Sequence, residues 1–347
     1  MASKLVLLTG ASGYVGFRTL HALLDHGFSV RAVVRSSKKA ESIRNEPVLR
    51  GTTERDLSFA IVPDLGAAGA YNNVMADVTY IVHVASPPPA EPEPSQTLED
   101  SIVKPAVACT LEVLEAARIA GTVKRVVITS SVIATVPTSL LMGTQHDEAF
   151  GPEYRAEEIQ APYMNNAMFA YAASKIAALR RAEEWIAAEK PQFDVIHIHP
   201  TYVLGRDARS GSLENYPSST NDIVLNITQG KQDPMPRVMC SVHVDDVAEA
   251  HVRSLDGKVP GNQSFVLNCT YPAHLQWDHV KDIVAEKFPK AVDRGIFPNN
   301  GSCTTLPGKV DSSKTEEVLG IKHEDFENQV TSAIGQYLEV WESEKGE

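Results

Sequence analysis

Tyr171-Ala172-Ala173-Ser174-Lys175 holds a tyrosine and a lysine four positions apart. On a helix that spacing puts both side chains on one face. A free tyrosine ionises near pH 10, too high for ready proton exchange at neutrality. A neighbouring positive charge stabilises the tyrosinate and lowers that value, which would make Tyr171 a general acid and Lys175 its electrostatic partner. Such pairs also arise by chance in many helices, so the reading depends on what accompanies them. Upstream, Val126-Val127-Ile128-Thr129-Ser130-Ser131 ends in two hydroxyls. A serine at the carboxyl end of a parallel strand faces the ligand crevice and can hydrogen-bond a substrate oxygen as charge develops there. The plainer alternative is a serine pair closing a turn.

Thr9-Gly10-Ala11-Ser12-Gly13-Tyr14-Val15-Gly16 sets three glycines between an apolar run and a helix-like run. In that context the spacing reads as a dinucleotide-binding turn. Gly10 permits the tight turn, Gly13 lets the backbone approach a pyrophosphate, and Gly16 allows close packing of the helix. Ser12, Tyr14 and Val15 complete the turn, and the helix N-terminus faces the phosphates. After the second strand comes Val34-Arg35-Ser36-Ser37-Lys38-Lys39. Enzymes that select NAD usually carry Asp or Glu there. Here Arg35 can grip a 2′-phosphate with two hydrogen bonds and Lys39 adds a second charge, so the expected cofactor is NADPH. Asp64-Leu65 follows the third strand, where a carboxylate either meets the adenine or serves only as a turn residue. In His83-Val84-Ala85-Ser86, Ala85 is small enough for the cofactor ribose to lie close, with Ser86 beside it. Thr129 borders the same expected site, and His83 reads as a packed core residue.

These groups need a scaffold. Apolar strand-length runs occur at Lys4–Thr9, Ser29–Val34, Leu57–Val62, Tyr80–Ala85, Arg125–Thr129 and Asp194–His199. Their near-continuous apolar character fits strands buried on both faces. Helix-like stretches at Gly16–His26, Glu99–Ala120 and Ala172–Lys190 alternate with them, which predicts an α/β fold with a Rossmann-type doubly wound parallel sheet. After Pro200 the rhythm breaks: 207–236 is loop-like with a helix near Asp222–Gln229, and later segments mix helices with a strand at Ser264–Cys269. The expected division is a dinucleotide domain over 1–204, to which 237–258 returns, and a smaller substrate domain over 205–236 and 259–347. The proline-rich stretch 87–94 leaves the end of a strand and reads as a stiff rim over the site. Pro87, Val132 and Phe169 are its expected pocket-lining neighbours.

The glycine turn, strand-end serines and Tyr–Lys helix, in this order, resemble an extended short-chain dehydrogenase/reductase. The resemblance is nearest to the carbonyl and aldehyde reductase branch, with dihydroflavonol, cinnamoyl-CoA and yeast-type methylglyoxal reductases. It covers nearly the whole chain. Its motifs are TGASGYVG at 9–16, VVRS at 33–36, HVAS at 83–86, VKPAV at 103–107, VITSSV at 127–132, YAASK at 171–175, HPTYVLG at 199–205, HVDDVAEAH at 243–251 and VDSSKTEEVLG at 310–320. The resemblance implies a catalytic triad of Ser131, Tyr171 and Lys175, with Ser131 matching better than Ser130. It also implies a nicotinamide pocket lined by Pro200 and Val203. Where many relatives carry a proton-relay asparagine, this chain has Lys104-Pro105, which leaves the relay to Lys104, another residue or water. The implied reaction is hydride transfer to a ketone or aldehyde. Two alternatives stand beside it: a nucleotide-sugar epimerase or dehydratase on the same fold, and a non-catalytic NADP-sensing regulator. The first favours an acid after the second strand, and the second usually loses the Tyr–Lys pair.

Composition limits the partners. Of 347 residues, 32 are Lys or Arg and 44 Asp or Glu, a net charge of −12. With no basic cluster, nucleic acid and anionic membrane are poor partners; the small-molecule carbonyl substrate is what the resemblance implies. The Leu5–Leu8 run is too short for the core of a signal peptide. Cys109, Cys240, Cys269 and Cys303 have no metal or disulfide spacing, which fits reduced thiols in the cytoplasm. His197 with His199, and His243 with Asp245 and Asp246, hint at a metal. The first pair lies in a buried strand and the second opens a helix, so no metal is expected. A monomer or homodimer fits the chain.

Overall fold

The computed structural model describes residues 4–346 apart from 88–91, 93, 94, 210, 215, 234 and 273. Its centre is a seven-stranded sheet built from β1 (Leu5–Thr9), β2 (Ser29–Val34), β3 (Leu57–Ile61), β4 (Val78–His83), β5 (Arg125–Thr129), β6 (Asp194–Pro200) and a later strand, β10 (Gln263–Leu267). The order across the sheet is β10-β6-β5-β4-β1-β2-β3, and the pairs from β3 through to β6 run parallel. The chain lays β2 and β3 on one side of β1, then crosses to lay β4, β5 and β6 on the other. This is a doubly wound sheet whose direction of winding reverses between β1 and β4. Ligands bind such sheets outside the carboxyl ends of the strands at that reversal.

Four of the five connections between β1 and β6 are helical: α1 (Tyr14–Asp25), α2 (Ser37–Arg44), α3 (Lys104–Ala120), and a short α4 (Thr138–Leu141) with α5 (Ala167–Glu189); the fifth, from β3 to β4, is a succession of turns. On one face of the sheet, Leu7, Ile81, Val126, Ile128 and Val195 pack with Val113, Leu114 and Ala117 of α3 and with Ala182 of α5. Fully burying each aliphatic side chain there contributes about 1.5–3 kcal/mol. A π-helical stretch, Glu99–Val103, leads into α3. The α2 helix has no counterpart among the helix-like stretches read from the sequence. Its N-cap is Ser36, whose Oγ accepts the Lys39 amide at 3.4 Å, and Ile43 is its one buried residue.

The chain forms two compact units: Met1–Thr138 with Pro152–His199 and Ala248–Phe265, and Ser139–Gly151 with Pro200–Val247 and Val266–Glu347. The returning segment is therefore 248–265, where the sequence reading had 237–258. The shift arises because β10 joins the sheet beside β6. The remaining elements are β7 (Tyr202–Leu204), α6 (Asp222–Thr228), β8 (Arg237–Val238), β9 (Ser241–His243), α7 (Val244–Arg253), α8 (Val280–Lys287), α9 (Pro289–Asp293), β11 (Thr305–Leu306), α10 (Ser313–Leu319) and α11 (Phe326–Lys345). The second unit has its own core around the fully buried Trp277. Tyr202 and Phe326 meet that indole edge-on at 5.7 and 5.8 Å, and its Nε1 donates to the Val238 carbonyl at 3.3 Å. Among the described residues no helix is long and apolar enough to cross a membrane.

Candidate active site

Between β1 and α1 the backbone turns through Gly10 at φ +79°. A Cβ there would stand 2.7 Å from the Ala85 amide nitrogen, so this turn and the segment after β4 meet backbone to backbone. At Gly16 a Cβ would lie 2.0 Å from the Gly10 carbonyl oxygen, so the close packing is against the turn itself. Gly13 is the N-cap of α1, has no side chain to cap with, and is followed by no acidic residue in the first turn. An uncapped positive helix end over a side-chain-free cradle fits a pyrophosphate. Ser12, Gly13, Tyr14 and Val15 are half-buried around it.

Beyond β2, Arg35 and Lys39 are both exposed, Lys39 in the first turn of α2. Asp64 is exposed and its Oδ1 accepts the Gly66 amide at 2.9 Å, a turn-forming bond. Leu65 is buried in the core beneath the sheet. Its side chain is spent on packing, which leaves only its backbone for a ligand.

Tyr171 and Lys175 are carried by α5. Asn166 caps this helix through its Oδ1, which accepts the Met168 amide at 2.8 Å. Just before it, Tyr163, Met164 and Asn165 all hold left-handed backbone, with φ of 55°, 53° and 51°. Tyr163 is anchored by its hydroxyl, which donates to Glu99. The helix thus begins five residues earlier than the sequence reading places it, and Phe169 sits half-buried in its first turn beside Tyr163 and Ile102.

Lys175 is only 7% exposed. Its Nζ lies 5.6 Å from the centre of the Tyr171 ring. Burial pushes the lysine down to about 8 and the tyrosine up to about 12. The sequence reading expected Tyr171 to be lowered. In the chain by itself desolvation outweighs the ammonium, which sits over the ring.

Lys175 lines a small cavity with His83, Ala85, Ser86, Thr110, Thr129, Ser130 and His197, closed by Ala106, Ile128, Ala178 and Leu179. Ser130 therefore shares a cavity with the lysine. Ser131 is absent from that lining; its Oγ accepts the Ile133 amide at 3.3 Å, capping the 3-10 turn Val132–Thr135. The Thr129 hydroxyl is engaged with His251 Nε2 at 2.6 Å. Val132 is buried and Pro87 half-buried. Most of the proline-rich rim, 88–91 with 93 and 94, lies outside the described residues. Pro200 and Val203 belong to the second unit. Lys104 is exposed and pairs with Asp100 at 2.6 Å, so it lies outside this cavity. The two histidines of the cavity were read from sequence as core residues. Their burial fits that reading, but their shared cavity depends on strand register.

The family model for the NAD dependent epimerase/dehydratase family matches residues 6–269. Ketoreductase CTB6 of Cercospora nicotianae is 41% identical over 352 residues, covering 100% of this chain and 98% of that protein. NAD-dependent epimerase/dehydratase ALT6 of Alternaria alternata is 34% identical, covering 97% of this chain and 98% of its own. Among solved structures, Gre2 from Candida albicans in complex with NADPH superposes with a TM-score of 0.81 at 24% identity, over 97% of this chain and 99% of that one.

Proposed function

Because the chain belongs to the NAD dependent epimerase/dehydratase family, we propose that it is an NADPH-dependent reductase of ketones or aldehydes, with Tyr171 as proton donor. The observation that carries the reading is Lys175, an ammonium buried at the strand ends with its nitrogen 5.6 Å from the Tyr171 ring centre. A buried charge with no ion-pair partner is expensive, and such groups concentrate at functional sites. The name of the Cercospora relative, a ketoreductase, agrees with this reading.

The glycine turn and the N-terminus of α1 would hold the pyrophosphate, and Arg35 with Lys39 would hold a 2′-phosphate. Asp64, the Leu65 backbone, Ala85, Ser86, Thr129, Pro200 and Val203 are the further proposed cofactor neighbours, with Pro87, Val132 and Phe169 toward the substrate. When bound, the cofactor supplies a hydride to the carbonyl carbon. Tyr171 gives its phenolic proton to the carbonyl oxygen, Ser131 orients that oxygen, and Lys175 supports the tyrosinate left behind. Lys175 alone does not offset the burial that raises Tyr171, so lowering it would fall to the charge of the bound oxidised cofactor. The epimerase or dehydratase alternative is disfavoured by the lack of an acid at 35–39 and by Val132-Ile133 after the serines.

A panel of ketones, keto esters and aldehydes, followed by NADPH oxidation, tests the reaction. Tyr171→Phe keeps the ring and removes the proton, so turnover should drop at least about 100-fold with NADPH affinity nearly unchanged. Near-normal turnover in that variant would sink the assignment.

A further inference from the structure

His83 and His197 each bury Nε2 with no hydrogen-bond partner among the described residues. Register explains why they meet. His83 of β4 pairs with Ile128 of β5, and Ile128 pairs with His197 of β6, so the three lie in one row across the sheet. All three line the cavity that also receives Lys175. The lysine ammonium makes no hydrogen bond to any described residue, and a buried ammonium without acceptors is unfavourable by several kcal/mol.

The protonation of His83 follows from its neighbours. The Thr9 hydroxyl accepts the Ala85 amide at 3.2 Å and lies 2.9 Å from His83 Nδ1. Thr9 is fully buried, so its own proton needs an acceptor, and Nδ1 provides it. Burial and the Lys175 charge keep His83 neutral, pushed down to about 3. Its remaining proton then sits on Nε2 and points into the cavity as a donor. His197 is also neutral, held down to about 4 by burial and then by Arg155.

The cavity has about the size of one water and several polar walls, the conditions for a retained buried water. We propose that a water held by His83 and His197 fills this cavity and accepts a hydrogen bond from Lys175, making both histidines positioning residues for the lysine. The proposal rests on the role given to Lys175 above. In the hydrogen-bond balance, the water accepts from Lys175 and from His83 Nε2, and donates to His197 Nε2 and to a strand-end hydroxyl. The titratable groups facing Lys175 are His83 from β4, His197 and His199 from β6, and Tyr171 from its own helix. Arg155, paired with Glu183, acts on the histidines of β6. The α3 and β5 contributions to the lining, Ala106, Thr110, Ile128, Thr129 and Ser130, carry no charge.

The test is a titration of the protein without cofactor, labelled with 13C at lysine Cε. The Lys175 resonance is assigned by its loss in Lys175→Met. In His197→Leu the acceptor is gone and the ammonium is less supported, so the Lys175 midpoint should fall by about one pH unit, a tenfold change in its ionisation constant. His197→Gln, which restores a polar atom, should recover most of it. Ala178→Leu, which fills the cavity from α5, should lower the midpoint likewise and serves if His197→Leu does not fold. An unmoved midpoint in the folded variants overturns the water. Full turnover in Tyr171→Phe would instead overturn the catalytic reading, so the two failures are distinguishable.

Discussion

At the amino-terminal ends of β5 and β6 stands Arg125, and at the carboxyl ends of the same strands stands Lys175. Both are buried cations, yet their surroundings are opposite. Arg125 donates all five of its N–H groups: Nε and Nη2 to the Asp194 carboxylate, Nη1 to the carbonyls of Ser254 and Asp256 at 2.7 and 2.9 Å, and Nη2 to that of Val259 at 2.8 Å. A planar fork with fixed donors suits such saturation. Among the described residues Lys175 has no direct partner beyond an aromatic ring, and two histidine nitrogens of its cavity are likewise unpaired. One end of the sheet is satisfied and serves stability. The other retains unsatisfied polarity, which is where ligand chemistry concentrates.

Breaking the satisfied end should have the largest effect. Arg125→Met leaves Asp194 and three carbonyls without their donor and should lower stability by about 3–5 kcal/mol. Urea unfolding measures it, while NADPH affinity of the folded protein should hold. A loss below about 1 kcal/mol, the range of exposed pairs, would refute the contrast.

Lys175→Met should do the reverse, cutting turnover at least about 100-fold while raising stability. The sign follows from burial. With a folded value near 8 and an ordinary value of 10.5, the native state binds fewer protons than the unfolded one between those limits. Below pH 8 both states are protonated and the buried ammonium is a net burden of about 3 kcal/mol. The stability advantage of Lys175→Met should therefore be full at pH 7 and shrink as pH rises from 8 towards 10.5. Denaturant melts of both proteins across that range check it. An advantage that grows with pH would contradict the burial argument.

Arg35→Asp sharpens the comparison from outside, since Arg35 is exposed and touches neither end's network. A charge-assisted bond to a 2′-phosphate contributes about 1.5–3 kcal/mol, less under solvent screening. The ratio of kcat/KM with NADPH to that with NADH should fall by about tenfold or more, a comparison of two steady-state assays. If wild type already prefers NADH, the cofactor proposal fails.

The smallest expected difference separates the two serines. Ser131→Ala should reduce turnover more than Ser130→Ala, by about tenfold, a fraction of what a well-placed oxyanion donor supplies. The reverse order would move the role to Ser130, the serine that lines the cavity with Lys175.

Much of the scaffold was legible because the pattern was strong. The sequence limits of β2 and β5 match those observed, since each is a short apolar run bounded by polar residues. The α2 helix was not legible: eight mostly polar residues with a single buried side chain carry no periodic signal. At the site, the glycine turn is readable because backbone crowding at Gly10 and Gly16 admits no side chain. The water-sized cavity is not readable. His83 and His197 are 114 positions apart in the chain, and only the pairing of β4, β5 and β6 puts them in one row. Likewise, the sequence led to a lowered Tyr171 because neighbours are visible in a motif and desolvation is not.

The contact between the Gly10 turn and Ala85 has a consequence for exchange with deuterated solvent. The Ala85 amide donates to the hydroxyl of a fully buried threonine, across the line where the winding of the sheet reverses. Its proton is protected while that bond between the ends of β1 and β4 holds. That single amide is thus a clock for the opening of the crevice, readable without substrate or turnover.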